Sequence, residues 1–212
     1  MRAQEFTEGY NEIDDRIHII LAQKGYKKLG QGIDQAAYLE PGGRTVLKVF
    51  GADIEASTKF SSSHRMFFTW AKYCMANPDN PFLVKFDDYE SFVYAGRRYL
   101  QIRQELLKPI PLDLYRQVAA LSHLPLDYNI VFKGPETLGR VMKKDRYFTE
   151  VQYEWVMELV DFLGKDAVTL LSKTLLKVNQ IARKKGYDID LHQGNYMVRS
   201  DLTPVIVDPW VD

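Results

Sequence analysis

The chain has 212 residues, 46% of them hydrophobic, and its 28 basic and 28 acidic side chains cancel. That length suits one domain or two small lobes, and the apolar content supports a core rather than wholesale disorder. The lack of net charge argues against nucleic acid or an anionic membrane as the main partner. The one cysteine, Cys74, excludes an internal disulfide and a thiolate cluster for zinc or iron–sulfur. No apolar run reaches the ~20 residues needed to cross a membrane, and the opening MRAQEFTEGYNEIDD lacks the apolar core of a secretory signal. A cytoplasmic protein is expected.

In chain order, Ile13, Ile17, Ile20 and Leu21 recur at helical spacing and predict a first helix ending near Gly25. Tyr26–Leu29 reads as a strand that Gly30-Gln-Gly32 breaks. Ala36–Leu39 is a second short strand, and Pro41-Gly-Gly43 a turn. Val46-Leu-Lys-Val-Phe50 is a third strand, rich in β-branched and aromatic residues. A helix over Ser61–Met75 follows, capped by Ser61, Ser62 or Ser63. Ser91–Tyr94 and Tyr99–Arg103 predict a hairpin across Ala95-Gly-Arg-Arg98. Residues 1–25 thus form a helical extension, and residues 26–107 a five-stranded antiparallel sheet with one helix.

Lys108-Pro-Ile-Pro111 stiffens the connection to a mostly helical remainder, residues 108–212. Helices are predicted over Leu112–Ala120, Phe148–Leu163 and Val168–Lys185. The last carries Leu171, Leu175, Val178 and Ile181 on one stripe and stops at Gly186. Pro125–Asp145 reads as a surface excursion. Tyr196–Val198 and Val205–Val207 are short strand-like runs.

Four polar features stand out. Gly30 and Gly32, between strands, let backbone pass close to phosphate oxygens, although such a Gly-x-Gly also serves as a plain turn. No Gly-Lys-Ser/Thr follows, which excludes a P-loop, and no helix starts there, which excludes a dinucleotide fingerprint. Lys48 sits in an apolar strand on the face of Val46 and Phe50, and either takes a ligand or snorkels to solvent. Asp190-Leu-His-Gln-Gly-Asn195 follows the long helix. Asp208 ends a β-branched run, a place for a metal ligand, a cap or a turn residue. Phosphoryl transfer needs a backbone cradle, a fixed cation, carboxylates for magnesium and a group that orients the acceptor.

In this order the pieces resemble the protein-kinase-like superfamily. Leu29, Gly30, Gly32, Ala37 and Tyr38 are similar to its glycine-rich loop, and Lys48 to its strand lysine. Asp190 and Asn195 are similar to its catalytic-loop pair, and Asp208 to its magnesium aspartate, 13 residues beyond Asn195. The Asp-Leu-His-x-x-Asn pattern is also that of aminoglycoside and choline phosphotransferases. Leu29–Gly32 with Ala36–Tyr38, His192, Gly194, Asn195, Met197 and Asp208-Pro209 most resemble the early serine/threonine protein kinases of short-tailed coliphages.

The resemblance implies an α+β, bilobal protein-kinase-like fold with a five-stranded antiparallel N-lobe and a short, mostly helical C-lobe. It implies ATP and Mg2+ as cofactors, with phosphoryl transfer to serine or threonine of host proteins in the host cytoplasm. Asp190 would orient the acceptor, and Asn195 and Asp208 would hold the metal. Lys48 with Gly30 and Gly32 would bind phosphates, and Glu105 to Leu107 would form the nucleotide-binding hinge. His192 would contact a phosphate or support the loop. Alternatives are a nucleotide-binding pseudokinase that inhibits or scaffolds a host protein, and a small-molecule phosphotransferase.

The pattern departs in places. Between Ala56 and Asp88 there is no glutamate to pair with Lys48, and Glu55 lies only seven residues beyond it. Asp188 and Ile189 stand where kinases carry histidine and arginine. Pro209 and Trp210 replace the phenylalanine and glycine that follow the metal aspartate.

Overall fold

A computed structural model describes residues 13, 15–31, 35–52, 62–122 and 149–211. Gly32, Glu55, the Ser61 cap and the 125–145 stretch lie outside the described residues. The chain divides into two compact units: Met1–Asp79 with Val84–Leu106, and Asn80–Leu83 with Leu107–Asp212. The architecture is mixed α+β, with an antiparallel sheet in the N-terminal part and a more helical C-terminal part.

The first unit is a five-stranded sheet with a helix on each face. Its elements are α1 (Asp15–Gln23), β1 (Lys27–Gln31), β2 (Gln35–Leu39), β3 (Thr45–Ala52), α2 (Ser62–Met75), β4 (Phe86–Tyr94) and β5 (Arg97–Glu105). The strands lie in the order β1-β2-β3-β5-β4, all pairs antiparallel. Side chains alternate across a strand, and here each face has a cover. Ala36, Tyr38, Leu47, Val49 and Tyr99 pack with Ile13 and Ile17 at α1. Phe50, Leu100 and Ile102 pack with Phe67 and Ala71 of α2. Burial on both faces explains why β3 reads as one apolar run instead of an alternating one.

Several boundaries differ from the sequence reading. Gly30 and Gln31 lie within β1, and the register against β2 shifts between Lys28 and Gly30, so Leu29 is an extra, half-exposed residue. The strand therefore bulges before the glycine instead of ending at it. β4 begins at Phe86, five residues before the predicted start. Asp87-Asp88 hid this part because it breaks alternation, and the register shifts between Phe86 and Tyr89. The hairpin turn is confined to Ala95-Gly96, both at positive φ (48° and 78°), which is the twist a two-residue hairpin requires.

The second unit contains β6 (Lys108–Pro109), α3 (Leu112–Ser122), α4 (Glu150–Leu163), α5 (Lys165–Lys185), β7 (Asp188–Ile189), a 3-10 turn (Gln193–Asn195), β8 (Tyr196–Val198), β9 (Pro204–Ile206) and β10 (Trp210–Val211). α4 starts where Thr149 caps it: the Thr149 hydroxyl accepts from the Gln152 amide, and the Gln152 side chain accepts from the Thr149 amide. α5 begins three residues before the predicted Val168, because the Gly164 carbonyl accepts from the Val168 amide at 3.1 Å. It ends at Gly186, whose φ of 72° turns the chain out of the helix. Leu171, Leu175 and Val178 are buried as the stripe requires, joined by Val168 and Ala182. β6, β8 and β9 form one small sheet, and β7 pairs with β10. Among the described residues no helix is long and apolar enough to cross a membrane.

α1 is tied to the sheet by one titratable contact. His18 Nδ1 is hydrogen-bonded to the buried Tyr38 hydroxyl, and its Nε2 lies 3.5 Å from Lys28 Nζ. Burial first and the Lys28 ammonium second lower the His18 pKa below its usual 6.5, against the weaker opposing pull of Asp15. A lowered folded-state pKa means that the unfolded chain takes up this proton first as pH falls. The contribution of His18 is therefore complete above about pH 6.5 and is lost as pH drops below that value. Thermal melts from about pH 7.5 to about pH 5.5 should show a larger loss of stability in the wild type than in His18→Phe; parallel losses would remove His18 as the cause.

Candidate active site

In the first unit, Lys48 is half-buried in β3, with Ala37 of β2 and Ile102 of β5 as its cross-strand partners. Its ammonium stands 4.9 Å from the centre of the Phe67 ring, a cation–π contact that holds the charge on the α2 side of the sheet. Gly30 is exposed in β1, and a Cβ built there meets nothing within 4 Å. Among the described residues, neither backbone geometry nor neighbours require glycine at that position. Glu105 closes β5, and its carboxylate accepts from the Lys85 amide at 2.8 Å. Leu107 is buried and belongs to the second unit.

The second unit brings Asp190, His192, Asn195 and Asp208 into one neighbourhood through its backbone. Asp188–Ile189 pairs with Trp210–Val211, and the Asp190 amide donates to the Pro209 carbonyl at 2.8 Å. Tyr196 pairs with Ile206, and the Val207 amide donates to the Asn195 carbonyl at 2.9 Å. Asp208 thus sits between two backbone ties, one from Asn195 and one from Asp190.

Side chains complete the loop. His192 Nδ1 lies 2.8 Å from Asp190 Oδ1 and 3.0 Å from Asn195 Nδ2. Asn195 Nδ2 also donates to the Asp190 carbonyl at 2.8 Å. A carbonyl can only accept, so the nitrogen of the Asn195 amide must face it, and Oδ1 remains the acceptor of that amide. A carboxylate likewise calls for a donor, so His192 Nδ1 carries a proton toward Asp190, and the 3.0 Å approach of Asn195 Nδ2 to that nitrogen is then a contact between two donors and not a hydrogen bond. His192 then orients the Asp190 carboxylate, which remains partly exposed at 37%.

Residues outside the predicted set hold this loop from behind. The Tyr115 hydroxyl donates to the Leu191 carbonyl at 3.3 Å, and Gln193 Nε2 donates to the Ile110 carbonyl at 3.2 Å. Trp210, read from sequence only as a departure from pattern, is buried and donates its indole N–H to the Val178 carbonyl at 3.3 Å. Gln193 could have been found as the one long polar side chain inside the motif. Tyr115 has no local sequence signal, because its partner lies 76 residues away.

Among the described residues no group of three or more His, Cys, Asp and Glu side chains could hold a metal. The donors on offer are the Asn195 amide oxygen and the Asp208 carboxylate. They fit magnesium, which takes few protein oxygens and completes its octahedron with water and substrate phosphates. Cys74 is buried, and that burial pushes its thiol pKa far up, which excludes it as a nucleophile. Comparison of the chain with protein-family models and with curated proteins gives no match.

Gly194 leaves the room that the His192 ring occupies: a Cβ at that position would come within 2.8 Å of His192 Nε2. Gly194→Ala should therefore rotate the exposed imidazole away from Asp190 with little change in melting temperature. The check is the chemical shift and titration of the His192 ring by NMR. An unchanged ring signal would show that the Asp190 contact does not need this glycine.

Proposed function

We propose that the chain is a magnesium–ATP-dependent phosphotransferase of the bilobal protein-kinase-like class, acting on serine or threonine of a protein substrate. One observation carries the reading. An aspartate, a histidine and an asparagine share a hydrogen-bonded loop whose two ends are tied by backbone to the strand that delivers a second aspartate. In this reading Asp190 aligns the acceptor hydroxyl and takes its proton, while His192 fixes the orientation of that carboxylate. Asn195 and Asp208 offer oxygens to magnesium. Lys48 binds the α- and β-phosphates, and the backbone at Gly30 lies against phosphate oxygens. Bound magnesium would neutralise charge on the β- and γ-phosphates. The likeness to early coliphage kinases supports a host protein as substrate and the host cytoplasm as location.

A second reading has its own support. α2 carries no glutamate, and the α2 side chain over the Lys48 ammonium is Phe67. A lysine beside an aromatic ring can still bind phosphate, so a nucleotide-binding pseudokinase that inhibits or scaffolds a host protein would share the binding parts and differ only in transfer.

Titration calorimetry with ATP should show binding that strengthens with magnesium. Asp208→Asn should abolish the magnesium dependence while leaving the ligand-free melt unchanged. Gly30→Ala should keep or slightly raise stability, since the position is open and glycine weakens a strand, yet lower ATP affinity. No binding at millimolar ATP would sink both readings.

Transfer separates the two. With radiolabelled ATP and cell lysate, Asp190→Ala should cut the wild-type rate at least ~100-fold while ATP affinity stays within a few-fold, because the base acts mainly in the transition state. Clean magnesium–ATP binding without transfer in the wild type would establish the pseudokinase.

A further inference from the structure

Asp208 follows β9 by two residues, and two residues later the chain is anchored by a buried aromatic side chain. Trp210 is 5% exposed. Its indole N–H reaches the Val178 carbonyl at 3.3 Å, in the fully buried stripe of α5. Its ring lies 5.6 Å from that of Tyr187, the residue that leaves α5 directly after the Gly186 cap. Its backbone pairs with Ile189, immediately before Asp190. One side chain thus touches the interior of the long helix and the exit from that helix, and its backbone pairs with the strand that delivers Asp190. Asp208 and Asp190 are the two carboxylates on either side of this anchor, joined across it by the Asp190–Pro209 backbone bond.

We propose that Trp210 is a positioning residue: by pinning the segment after Asp208 to α5, it fixes the Asp208 carboxylate relative to Asp190. An apolar plug of the same size would bury as well. The indole N–H adds direction, because it donates to one carbonyl and so sets the rotation of the ring and of the backbone that carries it. The role rests on the magnesium–nucleotide reading above for its ligand, but not for its geometry.

The test uses the full chain with Trp210→Phe, which keeps an aromatic ring beside Tyr187 and deletes the donor. If this variant does not fold, 3-benzothienylalanine at position 210 replaces the N–H by sulfur at nearly constant shape. Two quantities are read. The first is amide hydrogen exchange at Asp190 and Val207, whose N–H groups make the two backbone ties, with α5 amides as internal reference. The second is the magnesium-dependent part of ATP affinity.

The expected result is faster exchange at Asp190 and Val207 with α5 unchanged. A loss of magnesium-dependent affinity of about three- to tenfold should accompany it, the range one hydrogen bond supports. Unchanged exchange at both amides overturns the positioning role, as does a uniform rise that includes α5, which would mark a merely structural plug. If exchange rises but magnesium-dependent affinity does not fall, the pin exists without positioning Asp208, and the proposal is overturned. If the wild type shows no magnesium-dependent ATP binding, the phosphotransferase reading fails on its own. The exchange pattern then decides the Trp210 pin by itself, faster at both amides supporting it and unchanged overturning it.

Discussion

The backbone bond from the Asp190 amide to the Pro209 carbonyl is the constraint on which the second unit's polar neighbourhood depends. A side chain can be placed only as well as the peptide that bears it. Here the peptide of Asp190 is fixed to the peptide that follows Asp208, and no solvated loop separates the two. The companion bond from Val207 to Asn195 does the same from the other side. With these in place, Asn195 can turn its amide nitrogen onto the Asp190 carbonyl and His192 can hold the Asp190 carboxylate. The result is a short loop with little freedom to rearrange, which is what electrostatic preorganisation requires.

The first unit solves a different problem. Burying β3 on both faces gives Lys48 a rigid strand, but it also removes water from around a charge. Two features offset that. The side chain is only half-buried, so its head keeps part of its hydration, and the electron-rich face of Phe67 lies within cation–π distance. The second helix is what makes this arrangement possible, because with α1 alone the Lys48 face would be solvated.

Much of this was legible in the sequence. Apolar stripes located α1 and α5, and α2, α3 and α4 were also expected close to where they lie. The sheet was legible where strands alternate or run apolar, and illegible where charge interrupts them, as at Asp87-Asp88 in β4. The motif Asp190–Asn195 and the carboxylate of Asp208 were visible because polar residues stand out at the ends of apolar runs. Their supports were not. Tyr115, Ile110 and Val178 act through hydrogen bonds spanning 76, 83 and 32 residues, and no local pattern reports a partner at such distances. The glycine at position 30 was legible as unusual, but its place inside a bulged strand follows from pairing with β2, which one strand alone does not reveal.

The segment Asn80–Leu83 sits in the middle of the first unit's sequence yet belongs to the second unit. Its Phe82 carbonyl accepts from the Ile206 amide, and the Arg199 guanidinium donates to the Leu83 carbonyl from 116 residues away in sequence. The chain therefore passes from one unit to the other three times. During synthesis, Phe82 and Leu83 leave the ribosome long before the β9 strand they join, so this part of the second core must wait until β9 has been made. Contacts of such separation carry a high loop-closure cost and slow folding. A fragment beginning at residue 107 would lack two fully buried side chains and the two backbone carbonyls they bring with them. The second unit cannot be cut out of this protein as one continuous piece without carrying most of the first unit's sequence with it.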